Sequence, residues 1–218
     1  MQKIYFNPGC ALMLYKEDLA LKVFAFLKSQ DSSIQWHSIC CHHNPQVEND
    51  SLIINICAGC DRRFSKLYEG VTTISLWEYL ASNDNFVFPD HSGLVLSIHD
   101  ACPIRHKSRV HKAIRILLKK MNIEVRETEQ SQGKSVCCGD SLYPKVDLAK
   151  IKEHMINRAQ AMPCDDVCVY CVSCIKSMYI GGKTPRYLVD LLFNEETSVG
   201  EYDTVKWHEQ VQSYIDEH

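Results

Sequence analysis

Lys3-Ile4-Tyr5-Phe6-Asn7-Pro8-Gly9-Cys10 and Leu94-Val95-Leu96-Ser97-Ile98-His99-Asp100-Ala101-Cys102 begin two halves built to one plan. Each is a short apolar, β-branched run that ends near a cysteine, which predicts buried strands over 3–6 and 94–99. An amphipathic helix follows in both. Leu19, Val23, Phe26 and Leu27 recur at helical spacing in the first half, and Val110, Ile114, Leu117 and Leu118 do so in the second. Next comes an adjacent pair, Cys40-Cys41 or Cys137-Cys138-Gly139. Strands predicted at 52–56 and 166–170 then run into Cys57-Ala58-Gly59-Cys60 and Cys171-Val172-Ser173-Cys174. Short helices are expected at 60–69 and 171–179, and helical patterns at 76–82 and 185–193 close the halves.

Strands that alternate with helices define an α/β fold. The expectation is two related halves, each a small, mainly parallel sheet flanked by helices, arranged as a pseudo-twofold duplication. The repeat is too long for a solenoid, so two fused related domains fit better. They are placed at 1–92 and 93–193, followed by an acidic tail at 194–218. The halves differ in one respect. Thirty-two residues separate Cys138 from Cys171, with a helix expected near 147–160, but 15 separate Cys41 from Cys57. The first half has therefore lost a crossover helix and keeps a loop, 42–51, rich in His, Asn, Pro and Asp.

Twelve cysteines in 218 residues is the compositional outlier. Residues 1–10 lack the long apolar core of a signal peptide, so a cytoplasmic chain with reduced thiols is expected, with no membrane span. The net charge of −3 offers no broad basic face for a phosphate backbone, which argues against nucleic acid as partner. Single buried cysteines are ordinary core residues, but 10 of the 12 fall into the repeated scheme, which points to metal or redox chemistry. Thiolates prefer zinc, copper(I) or iron–sulfur units. A Cys-x-x-Cys at a strand-to-helix turn aims two sulfurs at one point, beside helix N–H groups that favour anions. The sulfurs of an adjacent pair meet only if the chain turns sharply, which suits Gly139. Each half offers five thiolates, one more than tetrahedral zinc or an ordinary cubane cluster takes.

Asn7-Pro8-Gly9-Cys10, His99-Asp100-Ala101-Cys102-Pro103, Cys137-Cys138-Gly139 and Cys171-Val172-Ser173-Cys174 resemble the motifs of the cysteine-rich CCG-domain family. Its best-known member is the B subunit of heterodisulfide reductase, and the likeness spans about residues 1–193. The resemblance implies non-cubane [4Fe–4S] clusters, one or two, each held by five cysteines. The second set would be Cys102, Cys137, Cys138, Cys171 and Cys174. The first would be Cys10, Cys40, Cys41, Cys57 and Cys60, where the shortened loop and His42-His43 leave zinc or an altered cluster as alternatives. It also implies an oxidoreductase subunit that reduces a disulfide, thiol or small-molecule couple with electrons from a flavin- or ferredoxin-type partner. The alternatives are an electron relay in a dehydrogenase complex and a structural or regulatory zinc protein.

Outside these sets, His99 is read either as a proton donor to a departing thiolate or cluster sulfur, or as a structural hydrogen bond at a strand end. Cys164 and Cys168 extend a run with superficial ferredoxin spacing, although the alternation around Cys168 favours a core thiol. Lys107, Arg109, Lys112 and Arg115 form a basic helix flank, ordinarily a solvated face. Trp207, Val211, Tyr214 and Ile215 make one stripe in the tail, to dock on its own domain or on a partner. No flavin or nicotinamide fingerprint is visible, so electrons must arrive from outside.

Overall fold

In the computed structural model, which describes residues 2–218, the chain forms two compact units. The first comprises residues 2–86 and 209–218, the second residues 87–208. In the first unit, β1 (Ile4–Asn7) leads through α1 (Cys10–Gln30) to β2 (Gln35–Trp36). β3 (Ser51–Asn55), α2 (Ala58–Leu67), β4 (Val71–Ser75) and α3 (Leu76–Ala81) follow. The second unit repeats the order with β5 (Val95–His99), α4 (Ser108–Lys120) and β6 (Glu124–Val125). It continues through α5 (Leu148–Gln160), β7 (Asp166–Val169), α6 (Val172–Ile180), β8 (Thr184–Tyr187) and α7 (Leu188–Leu192). A last helix, α8 (Thr204–Glu217), contributes its first turn to the second unit and the rest to the first.

Each unit carries one four-stranded sheet, ordered β2-β1-β3-β4 and β6-β5-β7-β8, and every pairing is parallel. The fold is thus α/β with two related parallel sheets. The central strands are the apolar runs of the sequence: Phe6, Ile53, Ile54, Leu96, Ile98, Val167 and Val169 are fully buried. The stripes of the long helices close the cores, with Leu19, Val23 and Leu27 buried on α1 and Val110, Ile114, Leu117 and Leu118 on α4.

One expectation is corrected. The helix expected at 185–193 begins only at Leu188, because Thr184–Tyr187 pair with β7 as an edge strand. Pro185 lacks an N–H and is tolerated there because an edge strand has one unpaired side. The segment from β2 to β3 has no helix, in keeping with the lost crossover, whereas α5 fills the corresponding stretch of the second unit. Elsewhere the local signals agree with the fold. Ser75 and Glu78 form a reciprocal capping box at α3, with 3.2 Å between the Glu78 amide and Ser75 Oγ. Ser75→Ala is expected to destabilise the chain by about 1 kcal/mol in denaturant unfolding, without changing the other units of structure.

The sheet order locates the binding edge. In both units the chain moves from the first strand to one neighbour and then back to the other side. The carboxyl ends of β1 and β3, and of β5 and β7, therefore flank a topological switch point, where ligands collect in open α/β sheets. Cys10 follows β1, Cys57 follows β3, Cys102 follows β5 and Cys171 follows β7. No helix among the described residues is long and apolar enough to cross a membrane.

Candidate metal centres

Three segments of each unit bring five sulfurs together. In the first unit thiol hydrogen bonds link the cysteines pairwise in the series Cys10–Cys40–Cys41–Cys60–Cys57. In the second they follow the same order, Cys102–Cys137–Cys138–Cys174–Cys171. No disulfide joins any of them. Cys168 is fully buried within β7 and Cys164 precedes that strand; neither belongs to either series.

The local backbone explains the convergence. Gly9 has φ +75°, and a Cβ there would lie 3.2 Å from Cys57 Cβ and 3.2 Å from Cys60 Sγ, so only glycine lets the β1–α1 turn approach the Cys-x-x-Cys turn. Gly139 (φ +107°) turns the chain after Cys137-Cys138, and its amide donates to Cys137 Sγ at 3.3 Å. Ser141 Oγ lies 3.0 Å from the same sulfur. A Cβ on Gly139 would meet Met155 Cγ at 2.9 Å. Gly139→Ala is therefore expected to destabilise the second unit by about 1–3 kcal/mol. Metal should be lost from the second set alone, read by comparing metal content with the wild type.

The sulfurs share protons unequally. Thiol hydrogen bonds from Cys10 and Cys41 hold the Cys40 pKa far below the usual thiol value. Those from Cys102 and Cys138, with Ser141 and the Gly139 amide, do the same for Cys137. The Cys60 thiol and the first amides of α2 bring Cys57 down to about 7. Cys41 is pushed up to about 12 by its ionised neighbour Cys40, and Cys10, Cys60, Cys102, Cys138 and Cys174 are also raised. Five crowded sulfurs cannot all ionise on their own, because like charges repel. A multivalent cation removes that obstacle, and metal binding releases the protons. The donor set fits a soft metal or metal–sulfur unit.

Each Cys-Cys segment is tied to its sheet by different chemistry. In the first unit Asn7, at the end of β1, donates to His37 Nδ1 at 2.8 Å and to the carbonyls of His37 and Ile39. His37 Nε2 donates to Pro45 O at 2.8 Å, so both of its ring nitrogens are occupied. His43 Nε2 meets Ile215 O at 2.7 Å and the Cys40 amide meets His218 O at 3.1 Å, which seats the last turns of α8 on this segment. Ile215 lies in one apolar cluster with Cys40, Cys41, Cys60 and Phe64. Trp207 Nε1 donates to Ser173 Oγ within the second unit. Trp207, Val211 and Ile215 of the tail stripe are thus seated on the chain itself.

In the second unit Asp100 does the tying. Its buried carboxylate takes two hydrogen bonds of 2.8 Å from Arg115, one of 2.6 Å from the Gln132 amide and one of 3.1 Å from Tyr170. Its carbonyl accepts from Ser135 Oγ. Arg115, expected on a solvated flank, is instead committed to Asp100 and Glu127. Behind Gly139, the buried Lys176 ammonium pairs with Asp140, which also meets His208 Nε2 at 3.2 Å.

His99 ends β5 and is buried. One of its ring nitrogens and the sulfurs of Cys138 and Cys174 lie within 4.8 Å of one another, a cluster that could hold a metal ion. Burial and the Arg158 charge push the His99 pKa down to about 3, so the ring is neutral at pH 7. Arg158, 59 positions away in sequence, is the partner that sequence reasoning misses, since no local pattern announces it.

No family model matches the chain, and no curated protein matches it. Among solved structures it is similar to a Picrophilus torridus aspartate racemase, at 10% identity and a TM-score of 0.35, over 99% of this chain and 100% of that one. A likeness that low carries no argument about fold or function. The clustered cysteines themselves are compatible with metal binding.

Proposed function

We propose that the chain is an iron–sulfur redox protein similar to the B subunit of heterodisulfide reductase, with each series of five thiols as the ligands of one non-cubane [4Fe–4S] cluster. The observation that carries this reading is the repetition of one five-sulfur series at the switch point of two parallel sheets. Four thiolates complete a zinc site, so a fifth sulfur in the same linked series, twice, favours a larger unit. When bound, such a cluster supplies electrons one at a time. The chain's own contribution is ligation through Cys102, Cys137, Cys138, Cys171 and Cys174, burial of Cys138 and Cys174, and a nearby imidazole at His99. Reduction of a disulfide takes two electrons and two protons and yields two thiols, so a one-electron centre must be recharged between steps by a partner protein of flavin or ferredoxin type.

A second reading belongs to the first set. Its Cys-Cys segment is covered by Ile215 and tied to His218, which favours a relay cluster or an all-thiolate zinc over a centre that meets substrate. His37 has both ring nitrogens engaged, so zinc there would draw on thiolates.

The test is turnover by anaerobically prepared protein with reduced viologen as an artificial donor and an organic disulfide as acceptor. The expected result is viologen oxidation that requires the disulfide and is lost in Cys171→Ser. Equal turnover with NADH alone, or no dependence on Cys171, would contradict the proposal.

A further inference from the structure

His99 is a nitrogen beside two thiols, and its hydrogen bonding decides whether it offers a lone pair or a proton. Arg158 Nε donates to His99 Nδ1 at 3.2 Å. An arginine can only donate, so Nδ1 must carry the lone pair and the neutral ring must carry its proton on Nε2. Arg158 is itself buried and held from behind, since its terminal nitrogens donate to Gln130 Oε1 at 3.1 Å and Gln130 O at 3.0 Å. His99 Nε2 is buried with no hydrogen-bond partner among the described residues. A buried N–H without an acceptor is costly. The sulfurs of Cys138 and Cys174 lie within 4.8 Å of one of the His99 ring nitrogens and of each other.

We propose that Arg158 is a positioning residue that fixes His99 as the Nε2–H tautomer, so that His99 is a hydrogen-bond donor to ligand sulfur at the second centre and not a metal ligand. Ligating histidines present a bare nitrogen to the metal and donate from the other one, and Arg158 enforces the reverse. An N–H that donates to ligand sulfur once the centre is filled, with a guanidinium behind it, would stabilise the more negative reduced state and raise the reduction potential. Among the described residues, no histidine–arginine pair takes that place in the first set. Asn7 holds the corresponding place, three residues before the first cysteine, and its amide is committed to His37, His37 O and Ile39 O.

The potential rests on the proposed iron–sulfur function; the tautomer does not. The first experiment is two-bond 15N–1H correlation on the full reduced, metal-free chain labelled in histidine, with His99 assigned by its disappearance in His99→Gln. The expected pattern is a single Nε2–H tautomer, retained in Arg158→Lys and lost in Arg158→Met. An Nδ1–H tautomer in the wild type overturns the proposal, whether or not Arg158→Met folds. The second is redox titration of iron-loaded protein: His99→Gln and Arg158→Lys should both keep full iron. His99→Gln should shift the second centre to lower potential, and Arg158→Lys should shift it less. Strong directly bonded nitrogen coupling in the wild-type paramagnetic spectrum, or an unchanged potential in His99→Gln, also overturns it. A chain that binds no iron but shows the Nε2–H tautomer retires the iron–sulfur reading alone.

Discussion

Cys138→Ser is expected to remove the metal of the second centre and leave that of the first in place. Cys138 sits in the middle of its series, between Cys137 and Cys174, and is buried. Serine matches its size but is a hard, weakly acidic donor that competes poorly for a soft metal. Four sulfurs would remain, separated into a pair from Cys102 and Cys137 and a pair from Cys171 and Cys174. The expected result is loss of roughly half the metal per chain, with the visible spectrum of the remaining centre unchanged. Cys41→Ser, at the matching place in the first series, should remove the complementary half. The comparison is made by metal analysis and by difference spectra of the two variants. If Cys138→Ser keeps its full metal content, the second ligand set is wrong.

Asp100→Ala is expected to lower the stability of the second unit by about 3 kcal/mol, near the low end for breaking a buried ion pair. The low end applies because Arg115 retains Glu127 and is partly exposed. The damage should also reach the centre. The Asp100 hydrogen bonds hold the loop at Gln132 and Ser135, which leads into Cys137, and Tyr170, which precedes Cys171. Ala101 donates its amide to the same Tyr170 hydroxyl, one residue before Cys102. All three cysteine-bearing segments thus meet around one carboxylate. Burial alone would raise its pKa, but the Arg115 hydrogen bonds and charge, with the Gln132 amide, bring it below the usual carboxylate range. A depressed carboxylate stabilises the fold above its unfolded pKa, and that contribution is lost as pH falls through the folded value. The stability gap between wild type and Asp100→Asn should therefore be full at neutral pH and close below about pH 4. A gap that does not depend on pH would show that the charge of Asp100 is not what stabilises the unit.

The central strands were legible because β1, β3, β5 and β7 are buried on both faces and read as apolar runs. The edge strands were not. Gln35–Trp36 and Glu124–Val125 are two residues each, too short for any period, and Thr184–Tyr187 merges with the helix that follows. Without those edges the strand order is invisible, and so is the switch point, which depends on β2 and β3 lying on opposite sides of β1. The cysteines were legible as a repeat, but their spacing does not give the order in which hydrogen bonds link the thiols. Helical periodicity placed Arg115 on a polar face without showing that Asp100 lies beneath it. The Arg158–His99 contact, like the seating of Ile215 beside Cys40 and Cys41, joins segments remote in sequence and is settled only by tertiary packing.

The central claim is that two series of five thiols hold iron–sulfur units. The most direct measurement is the iron, acid-labile sulfide and zinc content of the full chain purified without oxygen. The expected result is a brown protein with about eight irons and similar sulfide per chain, or about four with one zinc if the first centre holds zinc. A colourless protein that contains zinc and no sulfide would contradict it.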